Sequence, residues 1–183
     1  MQGDNRPGKT IKAESSKSYW LIKSEGDCYS IDDLKKDKIT PWSGVRNFQA
    51  RNYMRDHMKV GDLAFFYHSS STDKNQPNGI YGLAKVSSKP YADLTAFDPK
   101  DEHFDPKCAK QKKEAEANGQ AYVPMWMLVD FSFVKKYAAP LPLAVIKNDP
   151  KLEGIMLAQK GSRLSIQPVS ETHFEYITSL LEK

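Results

Sequence analysis

The sequence predicts a mixed α+β fold: a strongly twisted sheet of about five or six strands that closes toward a small barrel, with helices covering its outside. Three observations lead there. Five runs read as strands, and they are spread along the whole chain with connections of varied length. The segments between and after them carry helix caps or apolar residues at intervals of three and four. The composition, 39% hydrophobic and 27% charged over 183 residues, suits one domain that buries roughly two-thirds of its unfolded surface without a disulfide or metal staple.

The elements follow in order. Residues 1–17 are polar, with Gly3, Pro7 and Gly8 and no apolar periodicity, and predict a disordered tail. The domain then occupies residues 18–183. Tyr19 to Lys23 reads as a buried strand. Ser30 precedes Ile31-Asp32-Asp33, a cap followed by acids in a first turn, so a short helix comes next. From Asn47 onward, Ala50, Tyr53, Met54, His57 and Met58 recur at helical spacing, with Asn47 placed as the cap and Gly61-Asp62 ending the unit. DLAFFYHS alternates, placing Leu63, Phe65 and Tyr67 on one face and Ala64, Phe66 and His68 on the other. Ile80 to Val86 is its partner across a polar loop.

Residues 90–122 read as a long polar insertion. Asp-Pro turns follow Phe97 and Phe104, and a KQKKEAEANG portion lacks an apolar anchor. Met125 to Val134 is the strongest strand. Met125, Met127, Val129, Phe131 and Phe133 face one way, opposite Trp126, Leu128, Asp130, Ser132 and Val134. A Pro-rich corner leads to a short helix near Leu143 to Lys147. Ser162 to Ile166 is the last strand, closed by Pro168, and Ser170 caps a final helix whose Phe174, Ile177, Leu180 and Leu181 dock on the sheet.

Charge and cysteine usage bound the chemistry. A net charge of +4 and a pI near 8.9 permit a polyanionic partner without demanding one. Cys28 and Cys108 form no metal or redox spacing and read as free thiols in a reducing compartment. No targeting peptide or membrane-length apolar run is visible, so an intracellular protein, cytoplasmic or nuclear, with no membrane partner is expected. His57, His68, His103 and His173 lack metal-ligand spacing, and no phosphate loop or nucleophile elbow occurs. No cofactor and no metal are expected, and catalysis is not.

The densest constellation lies between Trp42 and His68, where Arg46, Asn47, Arg51, Asn52, Arg55, Lys59, Phe66 and Tyr67 also fall. Aromatic rings beside cationic and amide side chains suit a single-stranded nucleic acid. Bases stack on ring faces at roughly 1–3 kcal/mol each, and cations meet phosphates. Arg51 and Arg55 share one helix face, with Lys59 a turn further, as a basic stripe or as an ordinary solvated face. Trp42, in a loop, is either a lid on the core or a wall of a pocket. Asn47 is either a cap or a reader of a base edge. Trp126 stands on the less apolar side of its strand and is ambiguous.

Several strings resemble the EVE domain family: YWLIKSE (residues 19–25), YSIDDLK (29–35), PWSGVRNFQARN (41–52), the stretch from Lys59 to Ser69, and GSRLSIQPV (161–169). The resemblance runs from about Tyr19 to the C-terminus. It implies a PUA-like fold, a pseudo-barrel of strands flanked by helices, and kinship with YTH domains, which hold a methylated base in an aromatic cage. By that likeness Trp42, Ser43, Val45, Arg46 and Asn47 build one wall of a base pocket, Ser24 a second, and Tyr67 and His68 a third. Arg163 and Ser165 contribute from the last strand. The family pattern has proline after Ser-Glu, where this chain has Gly26, which leaves the local backbone freer.

The resulting expectation is a module that binds DNA or RNA and accommodates one base, methylated or otherwise modified, stacked on Trp42 and Tyr67. Asn47 and Ser24 identify it, while Lys23, Arg46, Arg51 and Arg55 hold the backbone. The alternatives are a hydrolase or nuclease using Lys23, Glu25 or His68, and a small nucleotide-ligand sensor. Oligomeric state is not legible, with a monomer favoured.

Overall fold

The computed structural model describes residues 17–73 and 76–183. The tail expected at residues 1–17 therefore lies, but for Lys17, outside the described residues.

Among the described residues, eight strands and five α-helices follow one another. Strand β1 spans Tyr19–Ser24 and is followed by helix α1, Ile31–Asp37. Ser30 caps α1 through a reciprocal box: its side chain accepts from Asp33 N–H, and the Asp33 carboxylate accepts from Ser30 N–H. A short β2, Ile39–Pro41, leads to α2, Phe48–Asn52, which passes into a π-helical turn at Tyr53–His57. Then come β3, Leu63–His68, β4, Gly79–Val86, and β5, Tyr91–Ala92. Helix α3, Pro106–Ala117, precedes β6, Met127–Leu128, and β7, Asp130–Pro142. Helix α4, Leu143–Asn148, β8, Ile166–Val169, and α5, Glu171–Leu181, complete the chain.

Six strands form one curled, half-barrel sheet in the order β2-β7-β4-β3-β1-β8, and β5 pairs with β6 separately. Among the described strands only β1 and β3 run parallel, which requires the crossover through α1, β2 and α2 that separates them. Register shifts between Phe66 and Tyr67 and at two points of the β4–β7 pairing curl the sheet, since each extra residue sharpens the local twist.

Strand alternation divides the interior in two. One face carries Trp20, Ile22, Phe66, Ala84, Phe131 and Ile166, and receives Ile31 and Leu34 of α1, Trp42, Val45 and Met54. The other carries Leu21, Phe65, Tyr67, Ile80 and Leu141 beneath Ile146 of α4 and Phe174 and Ile177 of α5. The fully buried Phe65, Phe66 and Phe131 each contribute about 2–3 kcal/mol. The alternation expected for β3, and the docking of α5, are as the sequence indicates.

Four expectations need correction. The strand expected at Met125 to Val134 is broken at Val129: β6 pairs with β5 in the small sheet, β7 begins at Asp130, and Met125 packs in the same cluster as Trp126. The polar insertion contains a regular helix, α3. Asp105 caps it by accepting from Lys107 and Cys108 N–H, Pro106 stands in the first turn, and buried Cys108 is the anchor. The Pro-rich corner belongs to β7, which runs on to Pro142. The last strand begins where the sequence expected it to end, and Pro168 lies within it. That is tolerated because β8 is an edge strand with one unpaired side.

Gly82 sits where α1 crosses β4. A Cβ there would stand 2.5 Å from Ile31 Cδ1 and 2.6 Å from the Lys135 carbonyl oxygen. The carbonyl belongs to a paired strand and cannot retreat far. Gly82→Ala should therefore destabilise the fold by about 1–3 kcal/mol. A urea midpoint equal to that of the parent protein would show that α1 does not pack this closely.

Candidate functional site

The loop of residues 42–47 joins β2 to α2, and its geometry follows from a few anchors. Trp42 N–H donates to Val129 O at 2.9 Å. Its indole is 9% exposed and stands edge-on to Phe66, with centroids 5.7 Å apart, and to Phe131, at 5.5 Å. Of the two readings left open, this packing is that of a core ring that keeps only a narrow margin toward the surface. Val45 is buried beside it and Ser43 is exposed. Gly44 takes a positive φ of 79°, and its N–H donates to Asp93 Oδ2 at 2.9 Å. Asn47 Oδ1 accepts from Gln49 and Ala50 N–H at 2.9 and 3.0 Å, so its oxygen is committed to capping α2.

Arg46, expected to hold phosphate, is engaged inside the protein. Its Nη1 meets Asp93 Oδ2 at 2.7 Å, its Nη2 donates to Thr95 Oγ1 at 2.8 Å, and Nε and Nη2 both donate to His103 O. Asp93 is 1% exposed. Burial by itself would raise its carboxyl, but hydrogen bonds from Arg46, Thr95 and Gly44 outweigh that and hold it below the ordinary carboxylate value. A carboxylate this deep needs a cation beside it, and Arg46 is that cation.

The basic stripe is also broken up. Arg55 makes two hydrogen bonds of 2.7 Å to the neighbouring Asp56 carboxylate. Lys59 lies beyond the end of the π-helical turn. Arg51 turns inward, donating from Nη1 to Met125 O and from Nε to Asn52 Oδ1. Burial lowers its pKa from the usual arginine value.

Alternation along β1 and β3 sorts the remaining expected walls. Ser24 follows Trp20 and Ile22 onto the face that holds Trp42, whereas Lys23 follows Leu21 onto the other. Tyr67 is on that other face too, with Lys23 Nζ 5.9 Å from its ring centroid and its phenol pushed up to about 12 by burial. A base resting on Trp42 therefore cannot touch Tyr67. His68 is 4% exposed, with Nε2 accepting from Ile31 N–H at 3.1 Å and its ring stacked on Tyr81 at 4.1 Å. Burial holds its pKa below the ordinary histidine value, so it is a neutral anchor for α1 rather than a cation for a ligand. Of the other two residues considered for acid–base work, Lys23 is separated from His68 by the sheet, and Glu25 lies in the turn after β1, where its carboxylate accepts from Cys28 Sγ at 3.6 Å.

Segment 163–165 lies against the end of β1, where Ser165 O accepts from Lys23 N–H at 2.8 Å. Leu164 packs on the core face that holds Trp42. Arg163 is exposed and makes no hydrogen bond or ion pair among the described residues. The structure thus brings Ser24, Trp42, Val45 and Leu164 to one face, with Ser43 and Arg163 exposed along the chain beside them, while Ser165 meets the end of β1 through its carbonyl. Lys23 and Tyr67 are excluded from it, and Arg46 and Arg55 are engaged elsewhere. Among the described residues no three His, Cys, Asp or Glu side chains gather as a metal site.

Sequence reasoning missed Phe48. It is 56% exposed and stacks on Trp126 at 4.9 Å and 22°. The signal was its position off the Ala50, Tyr53 and Met54 stripe, immediately after the cap.

Comparison with known proteins places these features in a family context. The model of the EVE domain matches residues 18–180. Thymocyte nuclear protein 1 of Gallus gallus is 36% identical over 184 residues, covering 90% of this chain and 69% of that protein. Its Homo sapiens counterpart is 34% identical, covering 98% and 83%. Among solved structures, a hypothetical protein from Leishmania major is 41% identical with a TM-score of 0.78, covering 91% of this chain and 96% of that one. Human THYN1 in complex with DNA containing 5-methylcytosine is 36% identical with a TM-score of 0.76, covering 91% and 98%.

The Asp93–Arg46 pair gives a pH-dependent prediction. Asp93→Asn should cost about 1.5–3 kcal/mol at neutral pH. Because the folded carboxyl titrates below its ordinary value of 3.8, the contribution is complete above that value and is lost as pH falls through the lower folded one. Urea unfolding of both proteins should show their stabilities converging in acid, and a gap that stays constant down to complete protonation would refute the assignment.

Proposed function

The chain belongs to the EVE domain family, and on that premise we propose that it binds nucleic acid and holds one methylated base, with 5-methylcytosine in DNA as the first candidate. The observation that carries this is the human relative solved with DNA containing 5-methylcytosine, which matches 91% of this chain at 36% identity.

The groups available fit such a ligand. A methylated base needs apolar walls for its ring and methyl group, and Trp42, Val45 and Leu164 supply them on one face. It also needs hydrogen-bonding groups at its edge, which the Ser24 and Ser43 hydroxyls and the Asn47 amide nitrogen provide. Entry requires the base to leave its stack, at an unstacking cost of a few kcal/mol. With Trp42 9% exposed, a small movement of the 42–47 loop or of Leu164 accompanies binding. Arg163, beside Leu164 in the chain and without a hydrogen bond or ion pair among the described residues, meets a flanking phosphate. We read the protein as a binding module rather than a hydrolase, because Lys23 and His68 lie on opposite faces and His68 Nε2 is committed to Ile31.

One methyl group in an apolar site contributes only about 1–3 kcal/mol, so preference for methylated over unmodified sites should be roughly 10- to 200-fold. Fluorescence polarisation with matched oligonucleotides, DNA and RNA, single- and double-stranded, measures it. Affinity should fall as salt rises from about 50 to 200 mM. Arg163→Ala should reduce the salt slope by about one while leaving the methyl preference intact. Binding without any salt dependence would instead indicate a free-nucleotide sensor. Trp42→Ala is a poor probe of the pocket, since loss of this core ring should cost about 3–5 kcal/mol of stability.

A further inference from the structure

Scattered exposed apolar side chains are normal, so the exposure of Phe48 means little by itself. Its fixation is what matters. One face of the ring lies on Trp126, which is 6% exposed and pinned by its indole N–H to Asp105 Oδ2 at 2.8 Å. Asp105 is in turn held as the cap of α3. The Arg51 guanidinium stands 5.2 Å from the Phe48 centroid and 5.9 Å from that of Trp126, and Arg46 stands 5.6 Å from Trp126. Arg51 keeps Nη2 outside any hydrogen bond among the described residues. Asn47, Gln49 and Asn52 flank the ring in sequence, and no acidic residue occurs from Pro41 to Arg55.

From this arrangement we propose that Phe48, backed by Trp126, is a stacking platform for a second nucleobase, the one next to the base held beside Trp42, with Arg51 Nη2 meeting the phosphate between them. The proposal rests on the nucleic-acid reading above and adds a site to it. A base has a flat π-face to lay on the outer side of a ring that is already rigid, so little ordering entropy is lost on contact. A ring flanked by the Arg51 guanidinium, on a segment without acidic residues, suits a phosphodiester better than an acidic or purely apolar protein segment. Because every base has such a face, the platform adds affinity without reading sequence. It also holds open the gap left by a base that has swung away.

Phe48→Ala and Phe48→Trp in the full chain test this with a single-stranded oligonucleotide carrying one 5-methylcytosine. Stacking of this kind predicts a roughly 5- to 150-fold loss of affinity in Phe48→Ala. The loss should be equal for methylated and unmodified strands, and Phe48→Trp should restore affinity. An abasic residue next to the 5-methylcytosine should weaken the parent protein by the same factor and leave Phe48→Ala unaffected. Parent protein that binds, with Phe48→Ala equally tight and equally sensitive to the abasic residue, would overturn the platform alone and leave Phe48 as a contact for another protein. Parent protein that binds no oligonucleotide would overturn the platform and the nucleic-acid reading together. Phe48 lies outside the core clusters, so an unchanged thermal midpoint provides the folding control.

Discussion

The buried carboxylate of Asp93 fixes the relation between two loops that have no other regular connection. It accepts from Gly44 N–H, from Thr95 and from the Arg46 guanidinium, and Arg46 carries the same restraint on to His103 O. Without that charge pair, residues 42–47 would be tethered at their ends only, by the Trp42 N–H bond to Val129 and by the Asn47 cap. A lone carboxylate at this depth would be strongly unfavourable, so neither partner can leave without exposing the other to that penalty. The pair therefore specifies geometry more than it adds stability. Its consequence is that Trp42, Gly44 and Val45 on one side, and Trp126 with Phe48 on the other, are held at set positions around it.

A second constraint is the period of two along a strand. In β1 it separates Ser24 from Lys23, and in β3 it separates Phe66 and His68 from Tyr67, each pair divided by the sheet itself. Residues adjacent in sequence are thereby committed to different interiors. The face that holds Trp42 is closed by α1, α2 and segment 163–165. The opposite face is sealed by α4 and α5 and holds a tyrosine phenol pushed up to about 12 by its burial. Only the first face adjoins the exposed Ser43 and Arg163, which is why the ligand reading attaches to it.

Much of the framework was legible. Strands β1, β3 and β4 and helices α1 and α5 follow from alternation, caps and apolar spacing, and the EVE strings carry the sheet's overall form. Helix α3 was not, because its only buried anchor is Cys108 and its remaining residues are charged or polar side chains and small alanines with no apolar stripe. Its start was nonetheless written in Asp105-Pro106, a cap followed by a residue already fixed at a helical φ. The extension of β7 through Pro140 and Pro142 escaped for a similar reason: proline argues against a strand unless the strand has a bulged or unpaired stretch, and pairing is a property of neighbours.

The sequence by itself determined where β1, β3 and β4 and the capped helices α1, α2 and α5 begin, which residues of β3 share a face, and the family to which the chain belongs. These depend on local propensity and on side-chain period, which are properties of consecutive residues. Tertiary structure alone decided the fate of the individual site residues. Arg46 became an internal clamp because Asp93, distant in sequence, was buried beside it. His68 became a neutral anchor because Ile31 N–H needed an acceptor, and Phe48 became a fixed surface ring because Trp126 lay beneath it. Charge and aromaticity were visible from the start; whether each would meet water, a partner side chain or a ligand depended on what the fold brought alongside.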